Sequence, residues 1–195
     1  MRLLVLGNSI ALHGPKPDIG WTGNWGMAAS AEDRDFVHVL ASEFEKAGMP
    51  VTLRVRNAAD FERDPSLPVE EYFAGDLAFS PEVAVLRLSE NTPGELYEAF
   101  AEAYGALIRR LRQDPRCRVT AVGPFWENPR MEALLKAQAE ENGAAWVSLS
   151  HLHSEAYRAV GQFEHAGVAS HPSDKGMRAI AEAVLASLRR EGLLS

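Results

Sequence analysis

Leu3-Leu4-Val5-Leu6-Gly7-Asn8-Ser9 opens the chain, and the fold is read outward from it. Four consecutive apolar residues without alternation describe a strand buried on both faces, as in the middle of a parallel sheet. Gly7-Asn8-Ser9 then turns the chain at the carboxyl end of that strand. The tripeptide has two readings. It makes an ordinary turn, because Gly tolerates positive φ and Asn and Ser bond their own backbone. It also puts a serine hydroxyl at the mouth of the first strand, where a nucleophile is well placed.

Beyond it, short apolar runs alternate with helical periodicity. Phe36, Val37, Leu40 and Phe44 share a helix face closed by Gly48. Val51 to Val55 alternates with polar residues, as a strand near a sheet edge does. Val83 to Leu86 is a third strand. Leu96, Phe100, Ala103, Tyr104, Leu107 and Leu111 stripe a long helix that ends in Arg109, Arg110 and Arg112, where cations suit the helix dipole. Val119 to Val122 is a fourth strand, Met131 to Asn142 a helix, and Ala145 to Leu149 a fifth strand. Met177, Ile180, Ala181, Val184 and Leu188 mark a last helix with Ser173 as N-cap. The stretch from Asp60 to Pro81, broken by Pro65, Pro68 and Gly75, reads as a long connection with about one helical turn. Strands alternating with helices predict an α/β protein with a parallel sheet covered on both faces and right-handed crossovers.

Composition narrows the function classes. With 195 residues, 46% hydrophobic and 24% charged, the chain suits one globular domain spanning residues 1–195. A net charge of -7 argues against a nucleic-acid partner and against an anionic membrane surface. The lone Cys117 allows no intramolecular disulfide and fits a reducing, cytoplasmic setting. No apolar run is long enough to span a bilayer. Arg2 and the apolar run after it lack the cleavage pattern of a signal peptide, so the run is read as a strand.

In open parallel sheets, ligands bind outside the carboxyl ends of the strands. That rule gathers Ser9, Ser89-Glu90-Asn91, Gly123-Pro124-Phe125-Trp126, and the region of His151, His153 and His171 on one rim. Acyl transfer to serine needs a base, something to orient that base, and donors for an oxyanion. Ser9 could supply the oxygen and His171 the base. The Asn91 amide and the Gly26 backbone N–H could supply donors.

With those residues in view, the chain resembles the SGNH (GDSL-like) hydrolase family. Gly7-Asn8-Ser9 is similar to its first block, Gly-Asp-Ser, and Gly26 to the glycine of its second. Ser89-Glu90-Asn91-Thr92 is similar to Gly-x-Asn-Asp, and His171-Pro172 to the end of Asp-x-x-His-Pro. The resemblance covers nearly the whole chain. It implies a flavodoxin-like three-layer α/β/α sandwich with a five-stranded parallel sheet, and ester hydrolysis on carbohydrates or lipids without a metal or organic cofactor. It also implies Ser9 as nucleophile, His171 as base, and Ser9 N–H, Gly26 N–H and Asn91 as oxyanion donors.

The departures are specific. Asn8 stands for Asp, Ser89 for Gly and Thr92 for Asp. Val168 stands three before the histidine, where the family places the orienting Asp. The orienting acceptor is then Glu164, a backbone carbonyl or water. No Gly-x-Ser-x-Gly, P-loop or dinucleotide motif occurs. His151, His153, His165 and His171 lack the paired spacing of a metal site, so no metal is expected. His13 and His38 are read as surface or packing residues. Trp21, Trp25 and Trp126 either wall the substrate or pack beneath long loops. Arg54, Arg56 and Arg87 are read as solvated or paired. The expected substrate is a small-molecule acyl ester, such as an O-acetylated sugar. The alternatives are an impaired binding module built on the same scaffold, or a lysophospholipase- or thioesterase-like acylhydrolase.

Overall fold

A five-stranded, all-parallel sheet in the order β2-β1-β3-β4-β5 organises the computed structural model, which describes residues 1–194. The strands are β1 (Arg2–Gly7), β2 (Thr52–Asn57), β3 (Val83–Arg87), β4 (Arg118–Val122) and β5 (Ala145–Val147). Residues Leu3 to Leu6 of β1 are fully buried, as an unalternating apolar strand between β2 and β3 requires. The alternating β2 lies at the sheet edge.

The helices are α1 (Phe36–Lys46), α2 (Ala59–Arg63), α3 (Val69–Tyr72), α4 (Ala74–Ala78), α5 (Tyr97–Leu111), α6 (Pro129–Glu141), α7 (Ala166–Ala169) and α8 (Asp174–Arg190). On one sheet face α1 and α8 pack Phe36, Val37, Leu40, Met177, Ile180 and Val184 against Leu3, Val5, Val83 and Val85. On the other, α5 and α6 pack Phe100, Tyr104, Leu107, Met131 and Leu135 against Leu4, Leu6, Ala84 and Leu86. This is the expected three-layer α/β/α sandwich. Ser173 caps the last helix as expected, accepting from Gly176 N at 3.4 Å, and Asn128 and Asp35 cap α6 and α1 by accepting from Met131 N at 3.1 Å and His38 N at 2.8 Å.

The connection after β2 is more regular than its prolines suggest. It holds three short helices, α2, α3 and α4. Aromatic packing, which local propensity does not register, explains the difference. Phe61 is fully buried and meets the rings of Tyr72, Phe73 and Phe100 at 5.8, 5.0 and 5.9 Å. Arg54 and Arg56 clamp this segment to the edge strand through the buried Asp76, at 2.7 and 2.6 Å. The fifth strand is shorter than expected, ending at Val147. No helix is long and apolar enough to cross a membrane among the described residues.

Phe61 therefore anchors α2 to the core. Phe61→Ala is expected to lower stability by about 3–5 kcal/mol, the usual cost of emptying a buried aromatic site. The midpoint of urea unfolding checks this.

Candidate active site

Close approach governs the end of β1. A Cβ on Gly7 would lie 2.5 Å from Ala11 Cβ and 3.2 Å from the Arg87 carbonyl oxygen, so only glycine lets the turn fold back beside β3. The next residue, Asn8, is fully buried, while Ser9 is partly exposed. Ser9 Oγ stands 2.8 Å from His171 Nε2, across 162 residues of sequence. The topology thus brings the two side chains into hydrogen-bond contact.

The histidine is held by its own loop. His171 N donates to the Val168 carbonyl at 3.0 Å, and Ala159 N donates to the His171 carbonyl at 2.9 Å. Its Nδ1 lies 2.7 Å from the Gly167 carbonyl oxygen, aimed at it by the single turn of α7. A carbonyl can only accept, so Nδ1 carries the proton and Nε2 presents its lone pair to the serine hydroxyl. Glu164, one expected orienting group, does not fill that role. Its side chain is exposed, and the ring nitrogen is satisfied by the Gly167 carbonyl. Val168 is fully buried against Trp21, Met27, Ala28 and Ala159, in a setting that suits an apolar side chain. Burial lowers the His171 pKa to about 4, opposed by the Gly167 bond and helped by the charge of Arg87. The ring is therefore neutral, as a base must be, through the neutral pH range.

The expected donors divide. Gly26 N–H donates to Asp35 Oδ2 at 3.0 Å and is unavailable to an oxyanion. Glycine is required there for another reason: a Cβ would lie 2.5 Å from the Ile10 carbonyl oxygen and 2.9 Å from Asp35 Cβ. Gly26 thus lets its loop press on the Ser9 segment, where Met27 N donates to the Ser9 carbonyl at 2.8 Å. Asn91 does line the cleft beside Ser9 and His171. Among the residues of the cleft wall, the backbone N–H groups of Ser9, Asp60, His165 and Gly167 have no protein acceptor among the described residues, and those of Ser9 and Asp60 belong to the segments nearest the serine hydroxyl and Asn91. Asp60 lies in the first turn of α2, where such orphan donors are normal.

The cleft encloses about 510 Å³ and is walled by His13, Ile19, Met27, Asn57, Asp60 and Arg63 in addition to the residues already named. None of Trp21, Trp25 or Trp126 is in that wall. Trp21 is buried and donates to the His13 carbonyl at 3.1 Å, and Trp25 donates to the Ala29 carbonyl at 2.9 Å. Trp126 braces the His171 ring instead. Its ring meets His171 edge-on at 5.2 Å, and its Nε1 donates to the Ser170 carbonyl at 3.1 Å. His38, read as a surface or packing residue, bonds Asp35 at 2.9 Å. No three His, Cys, Asp or Glu side chains gather in a metal-holding group among the described residues.

Beneath Ser9 lies a buried polar chain that motif reading missed. Asn8 Nδ2 donates to Glu62 Oε1 at 2.9 Å and to Glu90 Oε2 at 2.6 Å. Arg87, fully buried at the end of β3, grips Glu90 through both Nη atoms at 2.7 and 2.5 Å. Phe125 N donates to Glu90 Oε1 at 2.9 Å, which ties the β4 loop to the same group. The charge and bonds of Arg87 bring the Glu90 pKa below its ordinary value despite burial. Glu62 behaves oppositely: burial, reinforced by Glu90, pushes it up to about 7. No sequence signal pointed to Glu62: it follows the core residue Phe61, and consecutive helix residues lie about 100° apart, so the pattern alone would turn it away from the core.

Three comparisons place these observations. No protein-family model matches the chain, and no curated protein matches it by sequence. Solved structures do match. The esterase EstA from Pseudoalteromonas sp. aligns at TM-score 0.64 and 13% identity, covering 97% of each chain. The acetyl xylan esterase AlAXEase aligns at TM-score 0.65 and 16% identity, over 96% of this chain and 100% of its own. A structure described as a GDSL-like lipase from Parabacteroides merdae aligns at TM-score 0.66 and 14% identity, over 98% and 95%. The fold of this chain is the fold of these esterases and lipases.

Asn8 is the one group in the buried chain that can donate to both glutamates. Asn8→Asp would set a third carboxyl against two others, and that repulsion is relieved only when one of the three takes up a proton. The stability deficit of this variant is therefore expected to be full at pH 8, about 1–3 kcal/mol for the lost donor alone, and to shrink at pH 5. Thermal melts of both proteins at the two pH values check this.

Proposed function

We propose that this protein is a serine esterase acting on small acyl esters, with Ser9 as nucleophile and His171 as general base. The observation that carries the reading is the 2.8 Å contact between Ser9 Oγ and a histidine nitrogen whose lone pair faces it. In the first half-reaction His171 Nε2 takes the hydroxyl proton while Oγ bonds to the ester carbonyl carbon. Negative charge then develops on the carbonyl oxygen, met by Ser9 N–H, Asp60 N–H and the Asn91 amide. The imidazolium returns its proton to the alcohol oxygen as the C–O bond breaks. Water, deprotonated by the same histidine, attacks the acyl–Ser9 carbonyl; as the C–Oγ bond breaks, Nε2 returns the proton to Oγ, releasing the acid and restoring both side chains.

The cleft supports a short acyl group. Its apolar side chains are Ile19, Met27 and the small Ala59, and polar or charged side chains supply most of the rest. A long acyl chain would find too little apolar surface there. AlAXEase is an acetyl xylan esterase, and a further fold relative is a two-domain esterase active on acetylated mannans. Both support an O-acetylated carbohydrate as substrate class. The pre-formed serine–histidine contact favours an enzyme over a binding module. The carbonyl at Nδ1 carries no negative charge, so it orients the ring without the electrostatic support that a carboxylate gives to an imidazolium.

Hydrolysis of p-nitrophenyl acetate tests the reading. Ser9→Ala and His171→Ala are each expected to lower kcat by at least about 10³-fold, in the direction of serine hydrolases stripped of these groups. A monoethylphosphonate, the class of inhibitor bound to EstA, is expected to label Ser9. Wild-type activity in both variants, or labelling elsewhere, contradicts the assignment.

A further inference from the structure

Four N–H donors converge on the two oxygens of Glu62. Oε1 accepts from Asn8 Nδ2 at 2.9 Å and from Ser89 N, and Oε2 accepts from Asn91 N at 3.1 Å and from Asn91 Nδ2. The carboxyl is fully buried. On the same helix, Arg63 Nη2 donates to Asn91 Oδ1 at 3.3 Å. Helix α2 therefore holds both ends of the Asn91 amide, which fixes its rotation and leaves one Nδ2 hydrogen uncommitted. The donor set is suited to a carboxylate alone. A protonated carboxyl would have to donate from one oxygen, into surroundings that offer it only other donors. A glutamine would face the same conflict with its amide group.

From this geometry we infer that Glu62 is a positioning residue, whose ionised carboxylate holds Asn91 in the orientation that meets the substrate oxyanion. The inference rests on the esterase reading and adds to it a residue outside the four resemblance blocks. It also accounts for Asn8. The carboxylate that accepts from the Ser89-to-Asn91 loop comes from α2, and the residue at the turn must then donate to it.

The charged and titratable groups around Glu62 come from several elements. Glu90 and Arg87 face it from the end of β3, bonded to each other. Arg63, on α2 itself, is paired with Asp60 at 3.1 Å. Tyr104 of α5 lies in the same core layer as Phe61, its hydroxyl donating to the Leu86 carbonyl at 3.2 Å. With Arg87 engaged by Glu90, no cation among the described residues contacts Glu62, and burial, reinforced by Glu90, raises its pKa to about 7. Ionisation of Glu62 then sets the acid limb of activity near pH 7, well above the value near 4 that His171 would impose. The sign for stability is opposite. A carboxyl raised on folding contributes stability that is full below its ordinary pKa of 4.5 and is lost as pH rises through about 7. The active form is the less stable one.

The test is a double-variant cycle on Glu62 and Asn91, with p-nitrophenyl acetate kinetics from pH 4.5 to 9. Glu62→Gln and Asn91→Ala are each expected to lower kcat by about 10²-fold with KM little changed, the typical cost of one oxyanion donor. The double variant is expected to lose no more than either single one. Wild type is expected to show an acid limb near pH 7 that both single variants lack. Additive losses, or a limb near 7 that persists in Asn91→Ala, overturn the inference. The Asn91→Ala profile decides even if Glu62→Gln fails to fold. Ser9→Ala separates the two levels: if it keeps full activity the esterase reading fails, whereas a dead Ser9→Ala beside an additive cycle removes the Glu62 role alone.

Discussion

Glu62 and Glu90, carried by two different elements, both lie within hydrogen-bond reach of a single amide, Asn8 Nδ2, at 2.9 and 2.6 Å. Two buried carboxyls this close repel each other unless donors lie between and around them. Asn8 supplies the donor between them, Arg87 neutralises Glu90, and backbone N–H groups of Ser89, Asn91 and Phe125 supply the rest. Through these bonds the ends of β1 and β3, the start of the β4 loop and helix α2 are locked together. Ser9 is one residue beyond the lock. Its position against His171 follows from that constraint together with the close approach that Gly7 and Gly26 permit. Removing one partner of a buried pair such as Arg87–Glu90 typically costs about 3–5 kcal/mol, so neither group can be lost without loosening the rim.

The fold was readable wherever hydrophobic period carried the information. Leu3 to Leu6, Val83 to Leu86 and the stripe from Phe100 to Leu111 declare their elements, and alternation in Leu53 and Val55 marks the edge strand. The rule that parallel sheets present their sites at strand ends then gathers Ser9, Asn91 and His171 on one rim, and the three do line one cleft. Reading failed where the deciding interaction is tertiary. Helices α2 to α4 form because Phe61, Tyr72 and Phe73 pack on one another and on Phe100, in a segment whose prolines suggest a loop. Gly26 looks like a donor in sequence, but Asp35, nine residues on, takes its N–H. For the three tryptophans the sequence leaves a substrate wall and loop packing equally open; none lines the cleft, and they pack beneath loops or against the His171 ring. The Gly167 carbonyl has no side-chain signature at all, and Glu62 lies outside every recognisable motif.

The acid missing at Val168 shapes the chemistry more than any other departure. A backbone carbonyl fixes the tautomer and direction of His171 as a carboxylate would, and it does so without adding a buried charge next to an apolar pocket built from Trp21, Met27 and Val168. In the proposed reaction it would give less stabilisation to an imidazolium formed on proton transfer and leave the oxyanion donors a larger share of the work.

Nitrogen-15 NMR of histidine-labelled protein across pH 3.5 to 8 tests the central claim, a neutral His171 with its proton on Nδ1 and its lone pair toward Ser9. The structure predicts a protonated Nδ1 and an acceptor-type Nε2 at pH 7, with the ring taking a second proton only near pH 4. A ring that carries its proton on Nε2, or one already charged at pH 7, would contradict it.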